Sequence, residues 1–416
     1  MKVPETSLHK DDVGRVLGRR FWILWTSSGW SNLADGSFHV VLPLVAVSFT
    51  QSPALVAGLT FALTLPWLLF ALIAGALADR SDRRVLMVAA NGARAVLLII
   101  LVLVIVLDAG SIALLYVVAF GIGTAETVYD TAAQSILPQL VRREQLSRAN
   151  GRLYAVELTT NQFVGPPLGG LLVAAGVMLA FGAQAAMWVV ALGSLLLVRG
   201  SFKPARTSGA SVRADIAEGL RFLWSHAVLR ALALFTGIFN LATSAMMAVF
   251  VLFAVGPASA MGLTELGYGV LLSVVAAGSV LGSLLAGWAE RRIGRALLIS
   301  FAILGGVVFI GTPALTSSAL LVGGGFFIGG AAIVMGNVII VSLRQRITPN
   351  ELLGRVNSAY RLVGWGTMPI GALLGGFLAQ ALGLQPTFAI MALVVLALVA
   401  LLPLLTNPAL DAVEVA

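Results

Sequence analysis

Four carboxylates stand inside long apolar stretches of this chain: Asp35, Glu126, Asp130 and Glu157. An ionised side chain at the centre of a bilayer costs about 3 kcal/mol, so one that is kept there faces a cavity, water or a partner. His39 follows Asp35 by one helical turn on the same face, a pair that could exchange protons with water. Glu126 and Asp130 are also four residues apart. Two carboxylates so close repel when both are ionised and can hold a proton between them. Arg94 is the one cation inside an apolar stretch, placed to neutralise Asp130 or Asp79. This is proton or cation handling rather than bond-making. His9, His39 and His226 are too scattered for a metal site, and there is no cysteine, so neither metal nor cofactor is expected. All four carboxylates fall in the first half, which leaves the second half to supply an apolar wall.

The elements that must position these groups are membrane helices. Of 416 residues, 59% are hydrophobic and 11% charged, with mean hydropathy +0.99. A soluble domain carries about 25% charged residues, so this composition describes an all-α integral membrane protein. Twelve runs are long enough to span a bilayer. They cover 20–49, 53–78, 85–107, 111–137, 151–174 and 178–199, then 228–256, 264–289, 296–313, 317–343, 357–380 and 386–405. The net charge of +8 does not point to nucleic acid, because 25 of the 26 Lys and Arg residues sit in, or at the edge of, alternate loops. Arg94 is the exception. By the positive-inside rule both termini are cytoplasmic and the protein is a multi-pass resident of the cell membrane. The chain then divides into a basic tail (1–19), a six-helix bundle (20–199), a linker (200–227), a second six-helix bundle (228–405) and a short tail (406–416).

In the linker, Pro204, Ser208, Gly209 and Ser211 break helix. Ile216, Leu220 and Leu223 then recur at helical spacing opposite charged residues, which predicts an amphipathic helix on the inner membrane face. The two bundles are related by repeats. Glu144-x-Leu146-x-Arg148-x-Asn150 matches Glu351-x-Leu353-x-Arg355-x-Asn357, each before the fifth span of its half. Gly165, Gly169 and Gly170 have counterparts in Gly371, Gly375 and Gly376. Two pseudo-symmetric bundles follow, an architecture that usually serves alternating access.

A charge cluster after the second span, Gly75-Ala-Leu77-Ala-Asp79-Arg80-Ser-Asp82-Arg83-Arg84, has a degenerate copy at residues 286–295. It can satisfy its own charges, since two aspartates stand among three arginines. It resembles the loop between helices 2 and 3 of the major facilitator superfamily, Gly-x-Leu-Ala-Asp-Arg-x-Gly-Arg-Arg, with Asp82 in place of the usual glycine. The resemblance implies gating roles for Gly75, Asp79, Arg80, Arg83 and Arg84, with Arg94 nearby. Asp79 is expected to dock at the positive N-terminus of helix 11, around Asn357.

Two further stretches carry the resemblance. Asn32-Leu-Ala-Asp35-Gly-Ser-Phe38 is similar to helix 1 of drug and siderophore exporters of the superfamily. Gly165-Pro166-Pro167-Leu168-Gly169-Gly170 is similar to the helix 5 pattern of its antiporters, with Asn161 where the first glycine usually stands. From its spacing alone that stretch is a closely packed helix able to kink. Residues 125–170 resemble the macrolide-efflux and enterobactin-exporter branch, although spans 111–137 lack the arginine that many drug antiporters carry in helix 4.

The resemblance implies twelve transmembrane helices in the major facilitator fold and export of hydrophobic or amphipathic small molecules by proton antiport. Asp35, His39, Glu126, Asp130 and Glu157 are the candidates for proton coupling. Gly165, Pro166, Gly169 and Gly170 are candidates for gating. Trp30, Phe38, Gln134, Gln162, Asn240 and Asn337 are candidates for substrate contact, since a buried amide needs a partner. No Gly-x-x-x-x-Gly-Lys-[Ser/Thr] loop is present, so an ion gradient rather than ATP would supply energy. A small-molecule substrate, protons and the bilayer are the expected partners of a monomer. Uptake of a metabolite and lipid flipping are the alternatives for the same fold.

Overall fold

The computed structural model describes residues 17–200, 202–203, 212–349, 352–407 and 410; the side chains of 79 and 212–216 also lie outside the described residues. The helices of the first half are α1 (Arg19–Phe49), α2 (Pro53–Arg80), α3 (Arg83–Val106) and α4 (Ile112–Ile136). They continue with α5 (Leu146–Glu157), α6 (Gly165–Ala175) and α7 (Val177–Leu196). The linker holds α8 (Val212–Ser225). The second half comprises α9 (Ala227–Ala254), α10 (Glu265–Ile293), α11 (Arg295–Leu315), α12 (Ala319–Ile347), α13 (Leu353–Leu382) and α14 (Leu384–Leu396).

Ten of these are apolar and long enough to cross a bilayer by themselves, and α14 makes an eleventh span together with the 3-10 segment Ala397–Leu404 that continues it. The twelfth crossing is α5 and α6 joined by a π-helical segment, Leu158–Val164. Its cause is local. Pro166 and Pro167 have no N–H to donate back into the helix, and a wider turn absorbs the mismatch before Gly165. Twelve apolar crossings are thus present, one of them interrupted by a π-helical segment. Large apolar side chains such as Leu284, Leu315 and Leu320 stand outward on the bundle surface, as a lipid-facing protein requires.

Small residues set how closely the helices pack. A Cβ on Gly278 or Gly282 of α10 would strike the backbone of α12, and one on Gly371 or Gly375 of α13 the backbone of α9. Glycine there lets two backbones touch, the packing that replaces hydrophobic burial inside a membrane.

The linker helix differs from expectation. Rather than only lying on the membrane, α8 docks on the start of α13. A Cβ on Gly219 would meet the Arg355 carbonyl, Glu218 accepts from Arg355 Nη1 at 2.7 Å, and Leu223 is fully buried.

The charged turn also satisfies itself differently from expectation. Asp82 caps α3 by accepting from the Arg84 and Val85 amides, and its other oxygen accepts from the Phe202 amide at 2.8 Å. Arg83 donates to the Ser135 carbonyl and Arg84 to the Leu195 and Leu196 carbonyls. These cations therefore tie α3 to the ends of α4 and α7. The aspartate that replaces glycine in the family pattern has its own work as a helix cap. The docking expected of Asp79 falls on a side chain outside the described residues.

Candidate transport site

Asp35 lies on α1 near mid-helix and is 5% exposed; Arg94 on α3 is fully buried. The two form an ion pair, with Arg94 Nη1 3.0 Å from Asp35 Oδ1. Trp188 of α7 donates its indole N–H to the same oxygen at 3.2 Å. Ser31 accepts from Arg94 and donates to Asn91 Oδ1. The guanidinium also stands over the rings of Tyr129 at 5.1 Å and Trp188 at 5.5 Å. A desolvated pair is tolerable only with such additional partners. Among the described residues the short ion-pair contact of Asp35 is with Arg94, while His39 acts on Asp35 only through its charge. His39 has an exposed side chain and makes no ion pair among the described residues. Arg94 makes its ion pair with Asp35, because α1 and α3 bring the two side chains together across the first bundle; Asp130 feels its charge without bonding to it.

Cavities of about 160 and 370 Å³ are lined by residues of both halves, another of about 280 Å³ lies within the second half, and Trp365 of α13 stands on the wall of each. The largest of these is lined by Asp130, Glu157, Gln134, Asn32 and Tyr129. A second is lined by Phe235, Phe239, Asn240 and Asn337, with the two phenylalanine rings stacked. The third contains Trp67, Gly75 and Arg361. One wall is thus acidic and polar, and the facing wall is aromatic and amide-bearing.

Of the expected contact residues, Gln134, Asn240 and Asn337 line these cavities. Phe38 is packed against Trp188 in the first-half core, and Trp30 and Gln162 are exposed away from the three walls. Glu126 is half-buried on α4, one turn from Asp130. Sequence reasoning missed Trp188, Trp67 and Arg361. Arg361 was grouped with the loop cations, yet it sits eight residues inside α13 and lines a cavity. Its signal was Arg361-x-x-x-Trp365, a cation and an aromatic one turn apart on one face.

Leu24, Leu137 and Asn150 line the 370 Å³ cavity toward the end of the molecule where the described residues begin at Leu17 and finish at Leu410, here the terminus-bearing end. The opposite end is sealed by contacts between the halves. A Cβ on Gly170 would collide with the backbone of Glu265, one on Gly269 with that of Pro166, and one on Gly376 with Ala57. Ser273 donates to the Phe163 carbonyl and Ser52 to Gln380 Oε1. The Gly-Pro motif therefore faces two ways. Gly165 and Gly169 seat α6 on α1 at Gly36 and Ser37, and Pro166 and Gly170 meet α10 of the other half.

The profile of the transmembrane secretion effector family matches residues 17–416. The chain belongs to that family, within the major facilitator superfamily. The multidrug efflux pump Tap of Mycolicibacterium fortuitum is 30% identical over 388 residues, covering 88% of this chain and 90% of Tap. The enterobactin exporter EntS of Shigella boydii serotype 4 is 28% identical, covering 82% and 81% respectively. Among solved structures, the nucleoside transporter NupG superposes with a TM-score of 0.73 at 13% identity, over 92% of this chain and 99% of that one. A bacterial homologue of the iron transporter ferroportin, in its inward-facing state, superposes with a TM-score of 0.74 at 18% identity, over 92% and 98%. The fold is the major facilitator fold, and this is a multi-pass membrane transporter of small molecules.

Proposed function

We propose that the protein exports hydrophobic or amphipathic small molecules from the cell by alternating access, driven by inward proton flow. The observation that carries this reading is the Asp35–Arg94 pair, buried in the first bundle behind a cavity that Asp130 and Glu157 line. A carboxylate ion-paired to one buried arginine can lose that partner when protonated, and the bundle must rearrange to compensate. Export, rather than uptake, is supported by the names of the relatives and by the aromatic wall at Phe235 and Phe239. With the termini in the cytoplasm, the conformer described here is inward-facing and ready to load.

The reading is tested by reconstitution in proteoliposomes with an imposed pH gradient and a panel of amphipathic dyes. Dye should move against its own gradient, opposite to the protons, and reverse when the pH gradient is reversed. Dye movement indifferent to the gradient would refute coupling, and movement alongside the protons would make the protein an uptake permease.

Orientation has its own test. The natural chain has no cysteine, so single cysteines at Ser52, Asp108 and Ser317 should react with an impermeant maleimide added outside intact cells. Reaction only after permeabilisation would invert the topology.

A further inference from the structure

Among the described residues, Arg361 of the second half and Asp130 of the first act on each other, and the position of Arg361 suggests a task. Arg361 lies more than two turns into α13, about 12 Å from the helix start at ~1.5 Å per residue. Its Nη1 donates to Gln134 Oε1 of α4 at 3.0 Å, across the gap between the halves. Its guanidinium stands 4.4 Å from the Trp365 ring and 5.6 Å from the Trp67 ring of α2. The two indoles meet edge to face at 4.7 Å. One arginine therefore touches α2 and α4 of the first half while it is rooted in the second.

Gln134 is a modest partner for a guanidinium. A carboxylate would give a charge-assisted bond roughly twice as strong. Such a carboxylate stands one turn away on the same face of α4: Asp130, which lines the cavity of about 370 Å³ together with Gln134 and Trp365. The charged groups acting on Asp130 are Glu126 on its own helix, Arg94 on α3, Asp35 on α1, Glu157 on α5 and Arg361 on α13. Arg94 is already bonded to Asp35, which leaves Arg361 as the cation able to move toward Asp130. Arg344 of α12 also acts on Arg361 and is itself stacked on Tyr360.

We propose that Arg361 is the latch between the halves: it rests on Gln134 and the tryptophan pair while the terminus-bearing end is open, and ion-pairs with ionised Asp130 when that end closes. A proton taken by Asp130 from water on the far side breaks the pair. The proton leaves to water on the near side after reopening. This rests on the alternating-access reading above and adds to it a partner from the second half, which the uneven spread of carboxylates had left without a role.

The test measures conformation in the full chain in lipid nanodiscs, without substrate or gradient. Spin labels on cysteines at Val85 and Arg292 report the separation of the halves at the terminus-bearing end. At alkaline pH a short-distance population is expected, shrinking at acid pH. Arg361→Gln and Asp130→Asn should each reduce it roughly tenfold, and the double variant no further, the signature of one shared interaction. Arg361→Lys keeps the charge without the planar fork, and should retain part of the population. The latch is wrong if Arg361→Gln has no effect, or if it has the same effect with Asp130 already replaced. Because the readout is a distance, a chain that shows the shared loss but does not pump protons would sink the antiport reading and leave the latch standing. A chain that pumps without the shared loss would do the reverse.

Discussion

Asp35→Asn is expected to abolish uphill export driven by a pH gradient while downhill exchange of substrate continues. The substitution keeps the side chain's shape and its ability to accept from Trp188, but it removes the charge that compensates Arg94. Breaking a buried pair by changing one partner costs about 3–5 kcal/mol, enough to lower the amount of folded protein. A second variant separates the two effects. In Asp35→Asn with Arg94→Gln, both charges are gone and the surrounding hydrogen-bonding groups remain, so folded yield should recover. Uphill export should not recover, because no titratable group is left at the pair. Counterflow of labelled substrate, measured in the same proteoliposomes, should stay within about twofold of the natural protein if shape alone supports exchange. Glu157→Gln, at an exposed position on the cavity wall, should have the smaller effect. Concentration of substrate against its gradient by the double variant would show that Asp35 is not an essential carrier and would leave the proton taken by Asp130 to drive transport alone.

How far the chain could be read without coordinates depended on whether a signal was local. Spans were legible because a bilayer demands about twenty apolar residues in a row, and the loop cations marked their ends. The irregular fifth crossing was legible in part, since Gly165-Pro166-Pro167 marks a helix with missing backbone donors, though not the π-helical turn that precedes it. Partners across the bundle were not. Spacing alone offered His39 to Asp35, four residues on, but the true partner is Arg94, 59 residues away. Sequence distance carries no information about which faces of α1 and α3 meet. Arg361 shows the reverse failure. A rule about loops counted it by proximity to other basic residues, yet helix α13 starts early enough to carry it inward. The amphipathic pattern of α8 was real, but periodicity says only that one face is apolar. It took Gly219, a residue with no hydrophobicity to contribute, to show that this helix packs against protein.

The sealed end of the molecule yields the other large expected effect. There the halves meet through glycines, and a single methyl group decides whether they can. A Cβ at position 170 would stand 2.8 Å from the Glu265 carbonyl carbon, and one at position 376 would stand 2.6 Å from the Ala57 Cβ. Neither neighbour is a flexible side chain that could swing aside. Overpacking of this kind costs roughly 1–3 kcal/mol, and here the cost falls only on the conformer in which the two halves touch at this end. Gly170→Val and Gly376→Val should therefore shift the protein toward the opposite conformer rather than unfold it, by about tenfold or more in population. A cysteine at Ser358, which lines the cavity open to the terminus-bearing end, gives the readout. In inside-out vesicles its maleimide reaction should slow by a similar factor in either valine variant, and transport should fall with it. Gly193→Val is the control, because a Cβ at that position of α7 meets nothing within 4 Å. Equal labelling in all three variants, with transport intact, would mean that the glycine contacts are not the seat on which the halves close. A slowed reaction in the Gly170 and Gly376 variants alone would place the closing surface at the Gly-Pro motif of α6 and its counterpart on α13, the two positions the internal repeat already paired.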